Sequence, residues 1–413
     1  MAKSDLKILI YSQDGFGLGH LRRNLNIAIR LIQQRPSLSI LIIADSPVAP
    51  FFELPPECDF VKIPTIVKVD SGVWRTDRLP EQYEHILSIR SEIIKDVALS
   101  FRPDVFLVDH MPGGAMGELV QPLEVLKRAL PETQIVLGLR DILGAPQTIF
   151  DQWSREGAYA AAEQFYDSIL VYGCSDLFNV ASQYRFPAAL LSRTSHCGYI
   201  CQTPPTPCDF DKNILLKLFA RPKGPFVLVT GGGSFDAYSF MRTFLEAVPY
   251  VQAKTQFHAM VATGPFMNQK HFVKLTDKAR GLPVIVTPTG PEAINLLRRA
   301  DLVISMGGYN TVSEILFLRK NAIVIPRKGP SAEQTMRCRL MSERNLFATI
   351  EHGKLTPKRL ARTILAKLNA TAGMPEPMIP ELTGAHTVSS HIISKTSIGQ
   401  PAPPLRLTKQ IVA

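Results

Sequence analysis

The chain has 413 residues, 46% hydrophobic and 20% charged, enough for two ordinary domains with separate cores and typical of a soluble globular protein. No run of about 18 uncharged apolar residues occurs, so no membrane-spanning helix is expected. The formal charge of +10 is scattered over separate pairs (Arg22 and Arg23, Arg298 and Arg299, Arg327 and Lys328, Arg337 and Arg339) without interleaved aromatics. That pattern argues against nucleic acid and leaves phosphorylated ligands or a weak attraction to an anionic membrane surface.

Met1–Asp5 runs directly into the first predicted strand and leaves no room for a signal peptide, so a cytoplasmic protein with its six cysteines reduced is expected. That strand is Lys7–Tyr11. A glycine loop and a helix over about Leu21–Gln34 follow, with Leu25, Ala28, Ile29 and Ile32 at the spacing of one buried face. Pro47–Pro56 carries Phe51 and Phe52, which read as core residues rather than a lipid-facing loop. Ser39–Ala44, Asp104–Asp109, Gln134–Leu139 and Ser168–Tyr172 read as strands, separated by helices at Glu81–Leu99 and Gly117–Leu130. Buried strands alternating with helices predict a parallel α/β sheet covered on both faces.

Around residue 200 the texture changes. Cys201–Cys208 is too proline-rich for an element interior and predicts a linker over 201–222. A second series follows: Phe226–Thr230, a helix from about Ala237, Gln256–Thr263, Val284–Thr287, a helix at Glu292–Ala300, then Leu302–Ser305 and Ala322–Ile325. After Pro326 comes a polar loop holding Glu333 and Gln334. The predicted division is one domain over 1–200, a second over 223–396 and a loose tail over 397–413.

Three glycine-rich stretches follow predicted strands, where ligands sit in open α/β sheets. In Asp14–His20 the glycines, including Gly17 and Gly19, fall at every second position. The dinucleotide fingerprint is G-x-G-x-x-G, and Asp45 only nears its acidic position, so a nicotinamide cofactor is not expected. His20 closes this loop, either as a functional group or as a polar helix cap. Gly231, Gly232, Gly233 and Ser234 suit phosphate contact, the alternative being a tight turn capped by Ser234 or Asp236. Ser305–Glu314 compresses a strand end, Gly307, Gly308 and a helix start into ten residues, a helix N-terminus aimed at an anion. Thr311 and Glu314 also match a capping box, so Glu314 either satisfies a backbone N–H or accepts ribose hydroxyls.

Asp109 and His110 end a strand. Asp109 could orient a histidine or take a proton itself, but strand alternation predicts that the two side chains serve different pockets. Cys174, His196, Cys197, Cys201 and Cys208 cluster loosely without zinc spacing, and no metal is expected.

With these residues in place, the chain resembles glycosyltransferases of the GT-B fold, nearest to family 28, whose known member adds N-acetylglucosamine to the lipid-linked peptidoglycan precursor. The likeness extends to a poorly characterised group of predicted glycosyltransferases. It is strongest over about 223–365, where Asp301–Glu314 is similar to the family's donor signature and Pro326, Glu333 and Gln334 match as well. It implies two Rossmann-like domains with parallel sheets facing across a cleft. It further implies an inverting, metal-independent transfer from a nucleotide sugar, taken as UDP, to a hydroxyl acceptor (a glycan, a lipid-linked or a small molecule), with no cofactor; the positive charge separately leaves room for peripheral contact at the inner membrane face. On the same basis Glu314 would hold the ribose, Glu333 and Gln334 the sugar. Gly231–Ser234 would approach the diphosphate, flanked by Gly307, Gly308, Asn310 and Thr311. His20 would lie across the cleft, with His20 or Asp109 as base. Met306 stands where the family usually has arginine, a cation that Arg327 or Lys328 could replace. Two other functions fit these residues: a nucleotide-sugar hydrolase or 2-epimerase, and a non-catalytic sugar-nucleotide-binding partner of another transferase.

Overall fold

The computed structural model describes residues 6–14, 19–70, 73–201, 224–233, 236–288, 293–329, 331–369 and 379–396. Among them are two parallel sheets. The first runs β3-β2-β1-β6-β7-β8-β9, with β1 Leu6–Ser12, β2 Leu38–Ala44, β3 Cys58–Lys62, β6 Val105–Asp109, β7 Gln134–Arg140, β8 Ser168–Tyr172 and β9 Thr194–His196. The second runs β12-β11-β10-β13-β14-β15, with β10 Phe226–Thr230, β11 His258–Ala262, β12 Val284–Thr287, β13 Leu302–Ser305, β14 Ala322–Val324 and β15 Ala348–Thr349. A small antiparallel hairpin, β4 Ile66–Asp70 with β5 Val73–Thr76, projects from the first half.

Central strands are apolar throughout because both of their faces are covered. In β1, Ile8 and Ile10 enter one buried cluster while Leu9 and Tyr11 enter another. β1 pairs with β2 on one side and β6 on the other; β10 likewise pairs with β11 and β13. At those two places the strand order reverses, opening a crevice beyond the carboxyl ends. The chain leaves β1 toward Asp14 and His20, β6 at Asp109, β10 at Gly231 and β13 at Met306. All the loops singled out by their glycines or ends therefore emerge at the two crevices.

The halves are joined by a continuous core. Tyr199 and Ile200 of the first half share a buried cluster with Leu228, Tyr309 and Val312 of the second. The Tyr199 and Tyr309 rings stack at 5.5 Å, and the Ile200 N–H donates to the Tyr309 hydroxyl at 2.8 Å. The last described helix, Gly384–Thr396, returns to the first domain: Gln34 donates to the Ser390 hydroxyl at 3.3 Å, and His391 meets Ser168 at 3.1 Å.

Several expectations need correction. Phe51 is 80% exposed at the tip of a short 3-10 turn, and only Phe52 packs on the core. The Gly19–Gln34 helix buries Ile27 and Leu31 rather than Ile29, because its inner face also takes in Arg23 and Asn24. Glu333 and Gln334 are not in a loop but open the helix Glu333–Glu343. The linker expected over 201–222, apart from Cys201, and the tail over 397–413 lie outside the described residues, as do Gly17 and Ser234.

Candidate active site

On the first domain, the carboxylate of Asp14 accepts the backbone N–H groups of His20 (2.8 Å) and Leu21 (2.7 Å) and the Ser12 hydroxyl (3.1 Å). The acceptor at the start of the Gly19–Gln34 helix is thus the chain's own carboxyl group, and Asp14 rather than His20 is the cap. Burial and the neighbouring Asp45 push the Asp14 carboxyl up to about 8, against the pull of those N–H groups.

Freed from capping, the His20 side chain turns to β6. Its Nδ1 lies 3.0 Å from Asp109 Oδ2. Asp109 is fully buried and also accepts from Arg23 Nη2 (2.9 and 2.7 Å) and Asn24 Nδ2 (3.2 Å). Arg23 is a helix neighbour of His20 three residues on, which brings both to one face. Its guanidinium is itself buried between the rings of Tyr172 and Tyr309, at 5.4 and 5.3 Å. Burial would raise the Asp109 carboxyl, but Arg23 and then His20 hold it below the usual carboxylate range. Burial also lowers the His20 imidazole below its ordinary value despite the opposing pull of Asp109. His20 Nδ1 also lies 2.9 Å from Arg23 Nη2; in the neutral tautomer that carries its proton on Nδ1, directed to Asp109, Nε2 keeps a lone pair, the form a general base requires.

His110 reaches the same pocket, against the expectation from strand alternation. It lies just past β6 with φ +82°, a left-handed turn that abandons the pleat, and its ring stands 5.1 Å from that of His20. Arg140, the last residue of β7, places Nη2 3.4 Å from His110 Nε2.

On the second domain, Gly231–Gly233 follow β10. Gly232 has φ +63° and faces the helix Tyr309–Phe317: a Cβ added there would lie 3.6 Å from Thr311 Oγ1. The two glycines after β13 differ. A Cβ on Gly307 would lie 2.5 Å from Cys338 Sγ and 3.3 Å from the Gln334 carbonyl, so Gly307 is fixed by packing. Gly308 faces open space and is the N-cap residue, with no side chain capping the helix. The capping box is therefore not formed: Thr311 is already inside the first turn. Glu314 instead takes a hydrogen bond from Arg22 of the first domain. Burial raises the Glu314 carboxyl and Arg22 only partly reverses that. Asn310 Nδ2 donates to the Gly19 carbonyl at 3.0 Å, closing the crevice between the two helix starts. Met306 is buried in the second domain's apolar core.

Glu333 accepts from Arg140 Nη1 (2.9 Å) and Arg337 Nη2 (3.0 Å). Burial opposes its charge, yet Arg140 and Arg337 bring its carboxyl down to about 2. Gln334 Oε1 accepts the Arg327 backbone N–H at 3.0 Å. Arg337 also grips Asp141 with two bonds (2.8 and 2.7 Å) and the Gly307 carbonyl (2.8 Å), while the Tyr199 hydroxyl donates to Asp141 at 2.9 Å. No group of three or more metal-ligating side chains occurs among the described residues.

The site thus gathers His20, Asp109, Gly19, Gly231–Gly233, Gly307, Gly308, Asn310, Thr311, Glu314, Glu333 and Gln334 around one cleft. Reading the sequence missed Arg22, Arg23, Asn24, Arg140, Asp141 and Arg337. Two signals were available: Arg23 and Asn24 follow His20 at helical spacing, and Arg140 and Asp141 end a buried strand as Asp109 and His110 do.

Residues 226–389 match the glycosyltransferase family 28 C-terminal domain. A UDP-N-acetylglucosamine–N-acetylmuramyl-(pentapeptide) pyrophosphoryl-undecaprenol N-acetylglucosamine transferase of Desulforudis audaxviator is 30% identical over 157 residues, 36% of this chain and 41% of that protein. The chain spans about half the length of the curated relatives it matches. Solved structures agree over nearly all of it. Acinetobacter baumannii MurG has a TM-score of 0.58 at 14% identity, covering 94% of this chain and 99% of its own. The UDP-GlcNAc 2-epimerase of Methanocaldococcus jannaschii has a TM-score of 0.64 at 11% identity, with the same coverage of 94% and 99%. The chain has the GT-B fold, and residues 226–389 of its second half are similar to the family 28 C-terminal domain.

Proposed function

We propose that this protein is an inverting, metal-independent glycosyltransferase that moves a sugar from a nucleotide diphosphate donor, taken as UDP, to an acceptor hydroxyl. The observation that carries the reading is the His20–Asp109 pair, 3.0 Å apart on the first domain, set across the cleft from the glycine loops of the second. The acceptor hydroxyl gives its proton to His20 Nε2 as its oxygen attacks the anomeric carbon. The bond from that carbon to the phosphate oxygen breaks, and a single displacement inverts the configuration. Asp109, buried and already accepting from three side chains, orients His20 rather than taking the proton. Charge developing on the leaving nucleotide is met by the open helix start at Gly308 and by the Gly231–Ser234 loop.

In this scheme Glu314 holds the ribose, and Glu333 and Gln334 hold the sugar. Residues 1–200, with the helix Gly384–Thr396 packed on them, present the acceptor, and the rest of 223–396 the donor. The curated relatives are named for a lipid-linked acceptor, and exposed Phe51 at the rim of the first domain suits a lipid-linked acceptor met at the inner face of a membrane. No described helix is long and apolar enough to cross one.

Thermal melting with UDP-sugars and UDP tests the donor site: a bound nucleotide raises the midpoint with concentration, and no shift with any nucleotide sinks the reading. Assaying UDP release with and without acceptor separates the reactions. Transfer needs acceptor, hydrolysis releases UDP on donor alone, 2-epimerisation yields a new epimer of the donor without acceptor, and a non-catalytic binder gives neither UDP nor epimer under either condition.

A further inference from the structure

The geometry points to Arg22 and Arg140 as the diphosphate ligands of this cleft, resting on Glu314 and Glu333 while no donor is bound. This deepens the proposed function and rests on it. A nucleotide sugar brings one negative charge on each phosphate, and the site where the family usually supplies arginine holds Met306, buried among apolar side chains. Of the two substitutes expected from the sequence, Arg327 and Lys328, Arg327 stands 4.0 Å from Asp236 on its own domain. Arg327 also bears on Glu333 from the same side, and two further cations reach the donor-side carboxylates from the opposite wall. Arg22, in the first turn of its helix, contacts Glu314, and Arg140, at the end of β7, contacts Glu333. Their side chains are 14% and 17% exposed, so neither is sealed in.

Glu314 cannot offer its oxygens to a ribose while Arg22 holds them. Pulling an arginine from its carboxylate into a void would strand two buried charges, which is strongly unfavourable. Exchanging anions avoids this. When Arg22 moves to the diphosphate, the ribose hydroxyls replace it on Glu314. When Arg140 moves, Glu333 keeps Arg337 at 3.0 Å. Arg140 Nε is also buried without a hydrogen-bond partner, a donor left over for an incoming acceptor. Both guanidiniums would then bridge the domains through the ligand, as planar forks suited to phosphate. Donor binding would change partners within a closed cleft rather than fill a waiting one.

The test is calorimetric titration of wild type, R22Q, R140Q, R22K and R140K with nucleoside diphosphates, UDP first, and with the matching nucleosides. A charge-assisted contact predicts that each glutamine variant weakens the diphosphate about tenfold to a hundredfold. Nucleoside affinity is predicted to stay level or improve, and the lysine variants to recover part of the loss. Apo melting temperatures identify any variant that fails to fold, for which the lysine form carries the comparison. Equal losses for diphosphate and nucleoside would overturn the inference, as would tighter diphosphate binding, which would make the arginines mere obstructions. If wild type binds neither ligand, the nucleotide-site reading itself fails and takes this one with it.

Discussion

The two walls of the cleft are held in different ways. On the first wall the hydrogen-bond partners are local: His20, Arg23, Asn24 and Asp109 belong to one domain and bond to each other, with only the Arg23 guanidinium also resting on Tyr309 of the second. On the second, Glu314 and Glu333 are held by Arg22 and Arg140 from across the cleft. The proton-transfer apparatus is therefore set before any ligand arrives, while the binding apparatus is a set of contacts that a ligand must replace. Preorganised groups suit charge development in a transition state, and exchangeable ones suit a substrate that must enter and leave. A third class of contact holds the walls together. Arg337 and Asp141 are 0% and 2% exposed and share two hydrogen bonds, a permanent pin between domains.

The sharpest way to break this contrast is at His20. H20A should lower turnover by about a hundredfold to ten-thousandfold with nucleotide affinity intact, as removal of a general base does. Steady-state rates beside a binding titration check it; an equal loss in both would make His20 a binding group. Because burial lowers the His20 imidazole and the base must be neutral, the rate should rise with pH along a limb below the ordinary histidine value of about 6.5. The same depression means that stability is full above the unfolded value and falls away as pH drops through the folded one.

Next in size is the pin. R337M leaves Asp141 buried without its cation and should cost about 3–5 kcal/mol, read in urea unfolding. Adding D141N should restore much of the loss. A change under about 1 kcal/mol would mean that the pair is no firmer than a surface salt bridge.

The smallest effect separates neighbouring glycines. G307A forces a Cβ against Cys338 and should cost about 1–3 kcal/mol. G308A meets open space and should change apo stability by no more than about 0.5 kcal/mol, yet weaken nucleotide binding where the diphosphate needs close backbone approach. Unchanged binding in G308A would move the diphosphate away from that helix start.

Much of the fold was legible for a simple reason. β8, β10, β12 and β13 are apolar runs cut off by turn residues, and their limits agree with those predicted from the sequence. β3, whose Cys58–Lys62 alternates with polar residues and is only half-buried, and the two-residue β15 carry no such signal. The Glu333–Glu343 helix was missed because its inward residues are Gln334, Arg337, Cys338 and Met341. A helix that lines a polar interface has no apolar stripe to find. The site divided along the same line. His20, the glycine loops and Glu314 announced themselves by their places at strand ends. Arg22, Arg140 and Arg337 sat among ordinary basic residues, and their partners lie 292, 193 and 196 positions away in sequence. Spacing cannot reveal a contact made by closure of two domains.

The most direct measurement is a crystal structure of the protein with UDP bound. The account predicts the diphosphate against Gly231–Gly233 and Gly308, both ribose hydroxyls on Glu314, and His20 facing the side from which an acceptor would approach. A nucleotide seated elsewhere, or a ribose turned away while Glu314 stays on Arg22, would contradict it.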